Sequence, residues 1–148
     1  MAGFLEVTVG KFIFRVADDL LYNSEGIWAK QVQNLIRIGL SDFLQQRSGD
    51  VAFVEVRPDG TRLAFGEEAV TVETIKVNIA LPSPVSGTVV HTNPQVEAAP
   101  ELINQDPYGA GWLCEIQPAD WQSDRTRLLS AQAYFEKVKR EAEEESGR

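Results

Sequence analysis

The sequence predicts a mainly β protein: a flattened barrel of two twisted antiparallel sheets, with short helices and one longer helix near the C-terminus. Three observations carry that prediction. Short runs rich in Val, Ile, Phe and Thr recur between Gly, Pro, Asn and Asp turn signals over most of the chain. Residues 72–79 carry strand signals on both sides of Lys76 and a second strand signal begins at Val85, so a hairpin with the lysine at one end of the barrel is expected. One stretch, residues 130–139, has clear helical spacing, with Ala131, Tyr134, Phe135 and Val138 on one side and Ser130 as its cap.

Taken in order, Val7, Val9, Phe12, Phe14 and Val16 form strand-like material around Gly10 and Lys11, and Asp18-Asp19 turns the chain. Residues 1–20 thus form an N-terminal extension, an added strand or a docking arm. Residues 21–140 form the main domain, and the acidic residues 141–148 a tail that frays into solvent. Ile27, Trp28, Ala29 and Val32 continue as a strand, with a turn near Gln33-Asn34. Ile36, Ile38 and Leu40 then alternate with Arg37 and Gly39, the period of a strand with one buried face. Ser41 caps a short helix through Phe43, Leu44 and Gln45 that ends by Gly49. Residues 51–56 are a strand, followed by the turn Arg57-Pro58-Asp59-Gly60. Residues 70–75 and 88–91 add strands, Asn93-Pro94 opens a loop, and residues 97–103 read as one short helix. Trp112 and Leu113 are core candidates, and Pro118-Ala119-Asp120-Trp121 starts another short turn or helix.

At 148 residues the chain is one domain with room for a sizeable core, and 43 % hydrophobic and 24 % charged residues are ordinary for a globular protein. A formal charge of −8 repels nucleic acid and anionic membrane, and no stretch reads as a signal peptide or span; the expectation is a cytoplasmic monomer. Cys114 has no partner for a disulfide and lies in an apolar strand signal, where a buried inert thiol is expected. The only histidine, His91, stands without a cysteine or metal-ligand partner at useful spacing, so no metal site is predicted. Gly109 and Gly111 lack the strand and helix that a phosphate loop needs, and Ser86-Gly87 lacks the context of a nucleophile elbow. No catalytic constellation emerges, and the chain reads as a non-catalytic protein.

That leaves Lys76. A lysine among strand formers cannot be buried charged without a partner, so it projects into water from a tight bend. An ordinary edge-strand lysine that discourages sheet-to-sheet aggregation would look the same in isolation. Its surroundings do not.

Glu73-Thr74-Ile75-Lys76, followed by Ser83-Pro84-Val85-Ser86-Gly87, resembles the lipoyl-attachment hairpin of the glycine cleavage system H protein family. Residues 38–43, residues 49–56 and, most specifically, residues 101–113 (ELINQDPYGAGWL) are similar to further blocks of that family in the same order. The resemblance implies the barrel-sandwich hybrid fold of lipoyl and biotinyl domains. It places Lys76 at the lysine amidated by lipoate and Glu73 at the acidic residue a ligase recognises. The implied partners are a lipoate ligase or an octanoyl/lipoyl transferase, glycine decarboxylase, aminomethyltransferase and dihydrolipoyl dehydrogenase. In that family the lipoyl group takes an aminomethyl group from the first enzyme to the second and is reoxidised by the third. A cleft on the carrier receives the loaded arm, here expected near Leu35, Ser83 and the helix of the 130s.

The chain departs from the family pattern at three places. Gly26-Ile27 replaces a histidine and an acidic residue before Trp28. Ala80 replaces an acidic residue after the lysine, and Pro82 replaces a tyrosine. The N-terminal extension, Gly26-Ile27 and Ala80 motivate an alternative: an H-like lipoyl carrier of another pathway, such as sulfur oxidation. A non-lipoylated scaffold is the third reading; a biotin carrier lacks support, because no methionines flank Lys76.

Overall fold

The computed structural model describes residues 3–147. The N-terminal extension is a hairpin: β1 (Phe4–Val9) pairs antiparallel with β2 (Phe12–Ala17), Val9 opposite Phe12. It forms a two-stranded sheet of its own and turns Val9, Phe14, Val16 and Ala17 inward. Side chains elsewhere fasten its backbone. Asp42 accepts the Arg15 N–H at 2.9 Å, the Tyr108 hydroxyl donates to the Arg15 carbonyl at 2.7 Å, and Gln46 Nε2 donates to the Ile13 carbonyl at 2.9 Å.

The two main sheets share the remaining strands. β3 (Leu21–Tyr22), β4 (Ile27–Val32), β5 (Leu35–Leu40), β7 (Arg62–Leu63), β10 (Gly87–Thr92) and β11 (Cys114–Pro118) form a six-stranded sheet in the order β3-β4-β5-β11-β10-β7. β6 (Val51–Val56), β8 (Glu68–Thr74) and β9 (Asn78–Pro82) form a three-stranded sheet in the order β6-β8-β9. Between them lies one apolar core that includes Ile36, Ile38, Leu40, Val70, Val72, Val89 and Ile116. Apolar residues recur at every second position in β8, with Val70, Val72 and Thr74 inward and Thr71 and Glu73 outward, as a half-buried strand requires. The return arm after Lys76 is β9, an edge strand that tolerates Pro82 at its end. The second strand signal, from Val85, belongs to the other sheet. The chain crosses between sheets at residues 83–86, where Asp124 accepts from the Ser86 N–H at 2.7 Å and its hydroxyl at 2.6 Å.

Five α-helices and a short 3-10 helix (Arg125–Arg127) complete the described residues. α1 (Asp42–Ser48) is capped by the Ser41 hydroxyl, which accepts the Leu44 N–H at 3.3 Å, and ends at Gly49. The helix expected over residues 97–103 is instead two: α2 (Pro94–Ala98), capped by Asn93, and α3 (Leu102–Gln105). Asn93 and Pro94 are a cap and a first helical residue, so they start a helix earlier than the loop reading allowed. Pro100 has no N–H to give and separates the two helices. α4 (Trp121–Asp124) is capped by Asp120. α5 (Ala131–Ser146) is capped by Ser130 and runs through the acidic residues, so Glu141–Glu145 belong to its last turns rather than to a frayed tail. Ala142 is buried there, and Arg47 pairs with both Glu145 at 2.6 Å and Glu141 at 3.6 Å.

A second core lies outside the sandwich. α5, the hairpin, Trp28 and Phe43 meet there around a stacked pair of rings, Tyr22 on Tyr134, with centroids 4.4 Å apart. Tyr22 donates to the Ala17 carbonyl at 2.8 Å, and Tyr134 shares a 2.7 Å hydrogen bond with Ser41. Burial pushes the phenols of Tyr22 and Tyr134 well above their ordinary range, and lifts Tyr108 to about 12. Burial also lifts the Cys114 thiol to about 12. All four groups prefer to be neutral in the folded state, so their contribution to stability is full below their unfolded values. It is lost as pH rises through and beyond those values, about 8.5 for Cys and 10 for Tyr. The chain has only these three tyrosines. We expect flat tyrosinate absorbance to above pH 10, then one cooperative rise coinciding with loss of circular dichroism; a gradual rise in folded protein would contradict it.

Candidate functional site

The lysine bend is built by its neighbours. Glu73 pairs with Asn78 in the last rung of β8 and β9, leaving Thr74 to Val77 as the tip. Thr74 is buried, and its N–H donates to the Val77 carbonyl at 2.8 Å. Its side-chain oxygen accepts the N–H groups of Lys76 at 3.1 Å and Val77 at 3.0 Å, and donates to the Val77 carbonyl at 3.2 Å. A hydroxyl that closes its own turn in this way fixes the loop without help from the rest of the protein. Lys76 therefore leaves a rigid tip, between Ile75 at 79 % exposure and Val77 at 44 %. Two apolar side chains held this far into water next to a lysine form a surface suited to being gripped.

The lysine stem has a seat. Its Cγ, Cδ and Cε pass Gly49, the residue that ends α1, at van der Waals distance from where a Cβ would stand. Lys76 forms no ion pair among the described residues: Glu145 lines the same cavity but is held by Arg47. Glu73 is exposed on the outer face of β8, near Phe53, its partner on β6. It too is free of ion pairs among the described residues, so a visiting protein can address it.

Sequence reasoning singled out Lys76 and Glu73 as candidates and gave no role to three further features that surround the bend. Thr74, two residues before the lysine, had the spacing of a hydroxyl-closed turn and was legible. Gly49 was read only as a helix end. The wall formed by Phe12, Phe14 and Phe43 was not legible, because it joins a hairpin and a helix remote in sequence. The residues expected to line an arm cleft are partly corrected. Ser83 is buried in the crossing between sheets, where its hydroxyl donates to the Val85 carbonyl at 2.6 Å. Leu35 lies at the far turn of β4 and β5. Neither lines the cavities beside the bend, whereas α5 does, through Ala142 and Glu145 on one side and Tyr134 and Glu141 on the other.

The departure at Gly26 has a packing cause. Gly26 has φ of 94°, and a Cβ there would stand 2.7 Å from the Tyr134 hydroxyl and 3.0 Å from the Ser41 hydroxyl. Tyr134 on α5 fills the space that a side chain at position 26 would need. Ile27 next to it is buried in the main core. Cys114 is buried, and its raised pKa keeps it protonated and unreactive near neutral pH. His91 bonds through Nδ1 to Glu115 at 3.0 Å, and Arg37 holds the other oxygen of that carboxylate at 2.9 and 3.1 Å. The guanidinium of Arg37 in turn lies over the Trp112 ring, 4.6 Å from its centre. These contacts brace the sheet surface. Among the described residues no cluster of His, Cys, Asp and Glu is arranged to hold a metal ion, and no helix is long and apolar enough to cross a membrane.

Comparison with known proteins agrees with this architecture. Residues 20–141 match the sequence model of the glycine cleavage H-protein. The glycine cleavage system H protein of Mycobacterium avium is 42 % identical over 123 residues, covering 80 % of this chain and 93 % of its own. That of Salinibacter ruber is 39 % identical over 119 residues, covering 80 % and 95 %. The crystal structure of a glycine cleavage system H protein from Mycobacterium marinum superimposes with a TM-score of 0.71 at 30 % identity, covering 79 % of this chain and 94 % of that one. A barrel-sandwich hybrid with a lysine at its tip, matched in sequence and in structure over most of its length, places this chain in the glycine cleavage H-protein family.

Proposed function

We propose that this chain is a lipoyl carrier of the glycine cleavage system, that Lys76 holds lipoate in amide linkage, and that Glu73 is a recognition point for the attaching enzyme. One observation carries the reading: Lys76 stands on a hydroxyl-locked bend, exposed and free of ion pairs among the described residues, with its stem seated on Gly49. A ligase needs a free amine at a fixed position, and Thr74 supplies the fixity. Lipoate, when bound, supplies a disulfide ring that can accept a carbon fragment and two electrons. The chain's residues do the rest. The bend aims the arm, Ile75 and Val77 offer an apolar grip, and amidation removes the charge of Lys76 so that its stem can lie on apolar surface. The arm reaches roughly 14 Å when extended, enough to visit an active site while the barrel stays on its surface.

On this reading the partners are a lipoate ligase or octanoyl/lipoyl transferase, glycine decarboxylase, aminomethyltransferase and dihydrolipoyl dehydrogenase. The carrier itself performs no catalysis and acts in the cytoplasm. Service to another pathway is favoured by one feature: the hairpin of residues 4–17, outside the segment shared with the family, stands beside Lys76. Intact mass after expression with lipoate and a ligase tests attachment: a gain of about 188 Da, lipoate less water, is expected. No gain with ligases of either the glycine-cleavage or the alternative type would leave a scaffold. Turnover of the loaded carrier with the glycine cleavage enzymes then separates the pathways, and a rate no higher than without carrier would exclude glycine cleavage.

A further inference from the structure

The register of the N-terminal hairpin decides which backbone groups it leaves open. The Asp18 N–H donates to the Gly3 carbonyl at 3.0 Å, and Val9 faces Phe12 across a tight turn. Leu5, Val7 and Val9 therefore direct their N–H and C=O groups at β2. On β2 the groups of Ile13, Arg15 and Ala17 point away from β1, and side chains take them. Gln46, Tyr108 and Tyr22 donate to the carbonyls of Ile13, Arg15 and Ala17, and Asp42 accepts the Arg15 N–H. That edge is closed. On β1 the outward groups belong to Phe4, Glu6 and Thr8, and none has a hydrogen-bond partner among the described residues.

Edges elsewhere are guarded: β3 and β7 are two residues long, β9 ends in Pro82, and β6 packs against α2. β1 has none of these protections. Its six residues, FLEVTV, include no Pro, Gly or Lys, and the single charge, Glu6, is neutralised by Arg15 at 2.9 Å. We propose that β1 is a strand-addition edge and that its occupant is β1 of a second copy of this chain, the two strands joining antiparallel about a two-fold axis through Val7.

Symmetry, packing and charge favour a second copy. The axis sets the outward groups of Glu6 against those of Thr8 in the second copy, and the reverse, so each pair exchanges two backbone hydrogen bonds. Glu6 stands opposite Thr8 rather than another carboxylate, so no like charges are opposed. On the inner face Val7 meets its own copy and Leu5 meets Val9. Leu5 and Val7 are half-buried at the rim of the second core, beside Phe135, and gain cover from this contact. A chain of net charge −8 repels its copies, but residues 4–17 carry only Glu6 against Lys11 and Arg15. The hairpin is thus a face on which two copies can approach. Val9 and Phe12, at the turn, line one cavity with Lys76. Antiparallel pairing sends the two turns to opposite ends of a four-stranded sheet, so the dimer presents its two lysine bends apart, each open to a separate enzyme.

The test uses the full, unmodified chain, so its outcome is independent of the lipoyl-carrier reading. An interface of one strand pair is small and its association weak. Sedimentation between about 5 and 500 µM is therefore expected to show the mass rising from that of one chain toward twice it. Over the same range, amide exchange at Glu6 and Thr8 is expected to slow about fivefold, while that at Leu5 and Val7, already bonded to β2, stays constant. Thr8→Pro removes an outward N–H that the β1–β2 ladder does not use, and its ring blocks an incoming strand. This variant is expected to keep the wild-type urea midpoint and to sediment as one chain throughout. If it loses its fold, the exchange pattern of the wild-type chain decides alone. One-chain mass at every concentration, with fast exchange at Glu6 and Thr8, would overturn the proposal. A dimer that leaves those two amides unprotected, or that persists in folded Thr8→Pro, would place association elsewhere and overturn it too.

Discussion

Lys76→Arg is expected to abolish attachment completely while leaving the fold untouched. The guanidinium stays protonated at any working pH and offers no nucleophilic nitrogen for an acyl transfer. Length and charge are nearly retained, and the side chain projects from an exposed tip into an open cavity. The turn is closed by Thr74 through backbone N–H groups, which the substitution does not touch. A surface change of this kind shifts stability by no more than about 0.5 kcal/mol. The variant should therefore show the wild-type urea midpoint, no lipoyl mass gain, and turnover with the glycine cleavage enzymes at the level without carrier. Residual attachment would mean that another lysine is the acceptor. Glu73→Gln in the same assay should slow attachment without abolishing it, because Glu73 is outside the turn and acts only through a visiting enzyme. An unchanged rate would remove Glu73 from the site.

Gly87→Ala is expected to destabilise the protein by about 3–5 kcal/mol, a large part of the roughly 5–15 kcal/mol that holds a domain folded. Gly87 has φ of 155° and begins β10, pairing with Pro118 on β11 and Leu63 on β7. A Cβ would collide with the Gln117 carbonyl oxygen and stand 2.8 Å from Cγ2 of Ile116. Neither can yield. Gln117 is in the ladder of the six-stranded sheet, and Ile116 is fully buried in the core between the sheets. Gly60→Ala separates the two causes. Its φ is 92°, but nothing lies within 4 Å of its Cβ position, so only backbone strain remains, about 1–2 kcal/mol. Denaturant unfolding of both variants measures the difference. Equal costs would show that the crowding at Gly87 relaxes.

Lys76 and its bend were legible because the information is local. A lysine among strand formers, a threonine two residues before it and an acidic residue three before it all lie within one turn of chain. The strands were legible for the same reason, since alternation at residues 36–40 and 70–74 is a property of consecutive residues. Partition of those strands between sheets was less so. Residues 72–79 and the strand from Val85 look like two arms of one hairpin, yet β9 closes the hairpin and β10 joins the other sheet. The acidic end of the chain misled in the opposite direction. Glu141 and Glu145 read as a solvated tail, but Arg47 from α1 holds both, and Ala142 between them is buried.

By itself, then, the sequence determined the strand pattern, the capped helices, the exposed lysine and the likeness to a lipoyl-carrier family. Each depends on residues a few positions apart, where backbone sterics and hydrogen-bonding side chains act directly. Only the tertiary structure decided what surrounds Lys76. The hairpin of residues 4–17, α1 and the last turns of α5 meet at the bend from three remote parts of the chain. Tyr134 takes the space above Gly26, and Phe12, Phe14 and Phe43 form one wall. Such contacts arise from burying apolar faces against one another, which depends on shape and complementary volume. That is decided between elements rather than within them.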